Sequence, residues 1–140
     1  MMNSHLLIGL LKTAAAAQIA VAVLNLFLTR ILNWKQDVLK MPLLLREVFY
    51  VHAWFISVTL AIFGVLTWRF SVEIASRSES VAQWLAAAIG IFWAFRTALQ
   101  VFYYSASHWR GQFQRTLIHV TLLLLYGGMA GVYLFSSFRR

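Results

Sequence analysis

The chain has 140 residues, of which 61% are hydrophobic and only 11% are charged; its formal net charge is +8 and it has no cysteine. Soluble domains carry about 25% charged residues, so this composition excludes a globular domain that faces water on all sides. The lack of cysteine excludes disulfides, thiolate-held iron–sulfur clusters and c-type haem attachment. The Lys and Arg residues form no basic stripe, so we expect no nucleic-acid partner.

The hydropathy pattern predicts four transmembrane helices in a single domain over residues 1–140. The predicted helices cover residues 6–32, 44–70, 80–104 and 112–138. Short connections favour an all-α, up-down-up-down bundle with both termini on the same side of the membrane. We expect a multi-pass protein of a cytoplasmic (inner) membrane.

The first apolar run is interrupted by Lys12 and then continues to about Leu32. It is longer than the hydrophobic part of a typical cleaved signal peptide, so we expect a retained helix. Lys12 lies near one end, where its side chain can reach the headgroups. The polar stretch 33–46 follows and contains the only proline, Pro42. Its alternation of apolar and charged residues predicts a segment that lies partly along the interface.

The segment 71–79 is rich in serine and charge, which predicts an aqueous turn. Ser80 followed by Gln83 fits a capping box that opens the third helix. That helix carries small residues at four-residue spacing, on the side roughly opposite its polar stripe, which suits close packing against another helix. The small residues are Ala82, Ala86, Gly90, Ala94 and Ala98. Gly127 and Gly131 form a GxxxG pattern on the last helix, also compatible with close packing.

Polar residues of all four predicted helices fall near the membrane face that holds the first and third loops. At about 1.5 Å of rise per residue, their depths below the helix ends overlap. Ionisable residues inside a membrane are candidates for function. The predicted ligand pocket comprises Asn25, Glu47, His52, Trp93, Arg96, Gln100, Tyr103, His119 and Tyr126. An alternative is that Arg96 only bonds helix-end carbonyls, a lipid phosphate or Glu47.

The charges around this predicted pocket favour an anionic ligand. Arginines outnumber the single acid, Glu47; they are Arg46, Arg96, Arg110 and Arg115. A phospholipid or isoprenoid phosphate, a propionate or an acidic residue of a partner would suit such a site. An organic cation would not, which argues against a small cation exporter.

His52 and His119 lie at matching depths, which is how a four-helix bundle can hold a b-type haem between two histidines. The alternative is that both histidines make hydrogen bonds between helices. A metal site built from Glu47, His52, His108 and His119 has suitable donors but no diagnostic close spacing.

Three functions are compatible with these features. The first is a small integral-membrane subunit of a larger complex that binds a lipid, quinone or haem-like anionic ligand in this pocket. Its partners would be membrane lipids and other transmembrane subunits, or further copies in a homo-oligomer. The second is an intramembrane enzyme on a lipid or isoprenoid substrate, with His52, His119 and Glu47 as acid–base groups. The third is a small transporter or pore, for which the polar lining thins towards the opposite face.

Overall fold

A computed structural model of the protein describes residues 3–78, 80–103 and 113–139, apart from the side chains of residues 114 and 115. Within these ranges the chain is helical, with no strand. The helices are α1 (Ser4–Ile31), α2 (Lys35–Leu39), α3 (Leu43–Arg69), α4 (Ser71–Ser76), α5 (Ser80–Phe102) and α6 (Phe113–Phe138).

Four of these helices are long and apolar enough to cross a membrane. They are α1, α3, α5 and the part of α6 from Thr116 to Phe138. The prediction of an all-helical chain with four candidate membrane spans is therefore confirmed. The predicted ends at residues 104 and 112 lie outside the described residues, and the order of the bundle stays a prediction.

The chain forms two compact units, one of residues 12–69 and one of residues 1–11 with 70–140. In the first, α1 and α3 run antiparallel. The Nζ atom of Lys12 lies 5.5 Å from the ring centroid of Trp68, and Asn25 bonds to Ala53 at the other end of the pair. The contact with Trp68 gives Lys12 an aromatic neighbour that the sequence did not indicate.

The α1 and α3 backbones come close together at Gly64. A Cβ atom at this position would lie 2.7 Å from Cγ1 of Ile19 and 2.9 Å from the carbonyl oxygen of Ala15. Only glycine leaves room for this approach. Gly64 shares a buried stripe with Ser57 and Leu60, and this spacing of four and three residues is typical of a helix–helix contact face.

A Schellman motif ends α1. Asn33 adopts a left-handed conformation with φ of 55°, the Trp34 N–H donates to the Thr29 carbonyl at 2.9 Å, and the Asn33 N–H donates to the Arg30 carbonyl at 3.3 Å. Asparagine tolerates this conformation better than most residues. The chain then forms the short helix α2, which lies within the stretch predicted to follow the interface.

The prediction of an aqueous turn over 71–79 is wrong, because the first six residues form α4. Ile74 and Ala75 of this helix are fully buried, and a helix of six residues, fewer than two turns, is too short for its apolar face to appear as a periodicity. The capping box is wrong as well. The Nε2 atom of Gln83 donates to the Ile74 carbonyl at 3.1 Å. Its Oε1 atom accepts no hydrogen bond within the described ranges, so it does not cap Ser80.

α5 and α6 pack antiparallel. At one end the Ser137 hydroxyl donates to the Gln83 carbonyl at 3.1 Å; further along, Trp93 stacks on Tyr126. Gly90 faces the same helix, since a Cβ there would lie 2.8 Å from Cδ2 of Leu134. The small residues and the polar stripe of α5 were predicted to lie on roughly opposite sides, and this is wrong. Positions 90 and 93 are only about 60° apart around a helix.

The GxxxG pattern does not mark the close approach between α5 and α6. A Cβ atom at Gly127 would meet only Cγ2 of Thr97, at 3.8 Å, and one at Gly131 would have nothing within 4 Å among the described residues. Close packing within this unit occurs at Gly90 instead, where the neighbouring backbone nitrogen of Leu134 would lie 3.1 Å from an added Cβ.

Candidate functional site

A chain of three polar side chains links α5 to α6. The guanidinium of Arg96 donates from Nη1 to Oε1 of Gln100 at 3.0 Å. The two residues are four apart and therefore lie on the same face of α5. Nε2 of Gln100 lies 2.8 Å from Nδ1 of His119 on α6. Gln100 is only 3% exposed, so this chain runs through the helix interface.

The hydrogen bonds determine which nitrogen of His119 carries the proton. A guanidinium only donates, so Oε1 of Gln100 must face Arg96 and the amide NH₂ must face His119. Nδ1 of His119 then accepts, which leaves the proton of the neutral ring on Nε2. If Nδ1 of His119 carried the proton, its N–H would face the amide N–H of Gln100, and no hydrogen bond could form between these two donors. Arg96 therefore acts through Gln100 to select one tautomer of His119.

Aromatic rings complete this site, which we name the Arg96 site (Trp93, Arg96, Gln100, His119 and Tyr126). Trp93 and Tyr126 stack with ring centroids 5.1 Å apart and an interplanar angle of 26°. The Cζ atom of Arg96 lies 4.8 Å from the centroid of the Tyr126 ring, within the range of a cation–π interaction. Both rings are buried; Trp93 packs on Tyr126, and Tyr126 in turn restricts the guanidinium, which stays partly exposed.

Arg96 has no carboxylate partner in the described part of the chain. The ion pair found there joins Lys40 to Asp37, at 3.7 Å. Arg96 lies six residues before the end of α5 at Phe102, which is about 9 Å along the helix axis. A guanidinium has five N–H donors, and the bond to Gln100 uses one of them. Among the described residues the Arg96 site therefore has no acidic group to neutralise its positive charge, and Arg96 lies within a candidate membrane span.

Asn25 and His52 lie in the unit formed by α1 and α3. Nδ2 of Asn25 donates to the carbonyl of Ala53 and to the hydroxyl of Ser57, each at 2.9 Å. Asn25 thus joins the two helices. Nδ1 of His52 lies 2.9 Å from the carbonyl of Val48, one turn earlier. A carbonyl only accepts, so Nδ1 of His52 carries a proton.

Both residues border a cleft of about 170 Å³ between these helices, which we name the α1–α3 cleft. Its lining includes Asn25, Thr29, Phe49, Tyr50, His52 and Trp54. Seven of the nine predicted pocket residues therefore lie in two groups: the five residues of the Arg96 site in one unit, and Asn25 with His52 in the other. Glu47 is exposed on α3, and Tyr103 is 81% exposed just beyond α5; neither belongs to the hydrogen-bonded chain of the Arg96 site.

The geometry at His119 counts against a role as a haem ligand. Haem iron binds a histidine through the unprotonated Nε2, with the proton on Nδ1, and the bond from Gln100 imposes the opposite tautomer. His108, a donor in the predicted metal site, lies outside the described residues. Among the residues that are described, no three His, Asp or Glu side chains are grouped so as to hold a metal ion.

Sequence reasoning missed an arginine contact at the other end of the second unit. Arg77, in a left-handed conformation with φ of 58°, donates to the carbonyls of Ser137 and Arg139. Arg139 in turn donates to the carbonyl of Ala75. Arg77, at the end of α4, thus satisfies carbonyls at the C-terminus of α6. Arg139, just after α6, satisfies a carbonyl near the C-terminus of α4. The one signal in the sequence was that both arginines lie near predicted helix ends. That position does not identify the carbonyl groups to which they donate.

The chain matches no protein-family model, no curated protein and no solved structure.

Proposed function

We propose that this protein is a small integral-membrane subunit of a larger complex, and that its Arg96 site binds the anionic headgroup of a membrane lipid. The observation that carries the proposal is the partly buried guanidinium of Arg96, which lies over Tyr126, bonds to Gln100 and has no acidic partner in the described ranges.

The energetics of the membrane support an anionic ligand. An arginine near the centre of a membrane helix costs about 2.5–3.5 kcal/mol on insertion scales, and neutralisation by an anion lowers that cost. The planar guanidinium matches two oxygens of a phosphate at once. Because Tyr126 and Gln100 already restrict Arg96, less side-chain entropy is lost when a headgroup binds.

Among the lipid, quinone and haem alternatives, the geometry favours a lipid phosphate. A quinone is uncharged and would leave the guanidinium unneutralised. A haem would bring two propionates, but the bond from Gln100 to His119 opposes coordination of its iron. No specific observation favours the enzyme, since Nδ1 of His119 is already engaged by Gln100 and Glu47 is exposed on α3.

An exposed side of α6 supports association with further helices. Gly128 and Gly131 would each accept a Cβ with nothing within 4 Å in the described part of the chain. They lie in phase with Leu124 and Phe135, which are 71% and 47% exposed. Small residues beside large ones on an outer helix face are typical of contacts between membrane helices. We propose that another subunit or a second copy packs there.

The proposal includes the topology of the chain. Two antiparallel helix pairs, each crossing the membrane twice, would form an up-down-up-down bundle with both termini on one side. The membrane would be the cytoplasmic (inner) membrane. In this arrangement the first loop, which carries α2, would lie on the side opposite the termini.

The lipid proposal is tested by measuring which lipids remain bound to the purified protein. Wild type, Arg96→Leu and Arg96→Lys would be extracted in mild detergent and analysed by native mass spectrometry. We expect Arg96→Leu to lose about tenfold in retained anionic phospholipid relative to phosphatidylcholine, which corresponds to about 1.4 kcal/mol. Arg96→Lys should retain an intermediate amount, because lysine keeps the charge but not the planar fork.

Arg30→Leu is the matched control, because Arg30 is an exposed arginine in the last turn of α1. It should leave the anionic-lipid content unchanged. Equal lipid content in Arg96→Leu and wild type would contradict the proposal. So would an equal loss in Arg30→Leu, which would indicate that net charge alone recruits the lipid.

A further inference from the structure

The α1–α3 cleft contains polar groups that have no partner among the described residues. Within helices, hydroxyls commonly bond to the carbonyl four residues earlier, and Ser57, Thr59, Thr97 and Ser136 all do so here. Thr29 does not. In the described part of the chain, neither its hydroxyl nor that of Tyr50 makes a hydrogen bond. Asn25 donates through its NH₂ to α3, which leaves its Oδ1 as an acceptor.

The lining of the cleft carries no formal charge. Of the described residues, no Asp, Glu, Lys or Arg borders it. It therefore differs from the Arg96 site and suits an uncharged ligand. At about 170 Å³ it is smaller than the 300–1,000 Å³ or so of a site that encloses a whole drug-sized molecule. It has room for one ring or a glycerol-sized head.

An apolar groove on α3 adjoins the cleft. The groove is formed by Tyr50, Val51, Trp54, Phe55 and Val58. Tyr50 and Trp54 also line the cleft, so the two concavities share a wall. The groove residues all come from one helix face, so the groove is shallow and suits an extended hydrocarbon chain. His52 lies about 200° around α3 from Tyr50. It therefore borders the side of the cleft that is opposite to the wall shared with the groove.

We propose that the α1–α3 cleft binds the uncharged, hydroxyl-bearing head of a membrane amphiphile, and that the groove holds the first part of its apolar tail. The hydroxyls of Thr29 and Tyr50 can donate or accept, whereas Oδ1 of Asn25 only accepts. A head with a hydroxyl satisfies all three groups, and a head with carbonyls alone leaves Asn25 unpaired. A hydroquinone and a diacylglycerol share this chemistry. The proposal does not depend on the function proposed for Arg96.

Binding would be measured by calorimetric titration of the protein in phosphatidylcholine nanodiscs. The probes are a hydroquinone with a decyl tail, the corresponding quinone and didecanoylglycerol. We expect saturable binding of at least one hydroxyl-bearing probe, about fivefold tighter than that of the quinone, because the quinone cannot donate to Asn25. The tighter of the two hydroxyl-bearing probes identifies the class of natural ligand.

Variants locate the site. Thr29→Val and Tyr50→Phe should each weaken binding about fivefold, while Thr29→Ser, which keeps the hydroxyl, should restore it. Thr59→Val is the matched control, since the Thr59 hydroxyl bonds to its own helix, and it should bind as wild type does. For the tail, Trp54→Ala should weaken binding, whereas Trp84→Ala, at a 77% exposed tryptophan of α5, should not.

The proposal is overturned by any of four results. The first two are an absence of saturable binding, and equal affinity for the quinone and both hydroxyl-bearing probes. The other two are wild-type affinity in both Thr29→Val and Tyr50→Phe, and a loss of affinity in Thr59→Val equal to that in Thr29→Val. Arg96→Leu separates the two sites. If it removes anionic lipid but leaves the hydroxyl-bearing probe bound, the sites are distinct; an equal loss of both would contradict a separate, uncharged site.

Discussion

The two histidines of the candidate spans use the same ring nitrogen, Nδ1, in opposite hydrogen-bonding roles. His52 donates from Nδ1 to a backbone carbonyl, whereas His119 accepts at Nδ1 from Gln100. Their neutral rings must therefore carry the proton on opposite nitrogens. A hydrogen bond to one ring nitrogen sets the chemistry of the other, so Nε2 of His52 is an acceptor and Nε2 of His119 is a donor.

This difference predicts a spectroscopic result. Nitrogen-15 NMR of histidine-labelled protein above pH 8 should show a protonated Nδ1 in His52 and an unprotonated Nδ1 in His119. Gln100→Leu should weaken the preference in His119 and leave His52 unchanged. His5, exposed near the N-terminus, is the internal control and should show the tautomer mixture of a solvated ring. A protonated Nδ1 of His119 in the wild type would contradict the assigned Arg96–Gln100–His119 chain.

At the scale of the helices, one close approach in each unit depends on a single glycine. Gly64 admits α1 against α3, and Gly90 admits α6 against α5. The close approach at Gly90 lies three residues before Trp93 and so helps to position the aromatic rings that hold Arg96. A change at Gly90 therefore affects both the packing of the pair and the Arg96 site.

Gly90→Ala should destabilise the protein by about 1–3 kcal/mol, because the new methyl group would meet both the side chain and the backbone nitrogen of Leu134. Gly127→Ala is the matched control on the same helix pair, because a Cβ atom there would meet, among the described residues, only Cγ2 of Thr97, at an ordinary contact distance of 3.8 Å. It should leave stability unchanged or raise it by up to about 1 kcal/mol, as helix propensity predicts. Denaturation by SDS in mixed micelles measures both. Equal stability of the two variants would contradict the close packing at Gly90.

At the scale of the whole molecule, the antiparallel order within each unit bears on which side of the membrane each helix end lies. The chain has no native cysteine, so single introduced cysteines can report that side. Ser4, Lys40 and Ser78 are exposed near the ends of the candidate spans, so each can be replaced without disturbing a buried contact.

Ser4→Cys and Ser78→Cys should react with a membrane-impermeant maleimide from one side of sealed vesicles, and Lys40→Cys from the other. The reason is that two positions separated by an even number of crossings lie on the same side. Labelling after detergent lysis is the control for the reactivity of each cysteine. The proposed up-down-up-down topology fails if Ser4→Cys and Lys40→Cys react from the same side.

Composition and hydropathy by themselves determined that the chain has four helices able to cross a membrane, because a run of about 20 apolar residues has few other stable environments. They also indicated that Trp93, Arg96 and Gln100 share a face, since helical periodicity relates residues along one helix. Periodicity does not relate one helix to another. The partner of Gln100 and the tautomer of His119 therefore could not be predicted.

Only the tertiary structure decided which contacts form. The contact of Gly90 with Leu134, rather than at the GxxxG pattern, depends on how α5 and α6 are rotated about their axes. The burial of α4 depends on a surface that the rest of its unit provides. The shared wall of the cleft and the groove at Tyr50 and Trp54 likewise exists only because α3 lies against α1. Local sequence determines the helices and the faces they carry, while packing determines which of their polar groups remain available to a ligand.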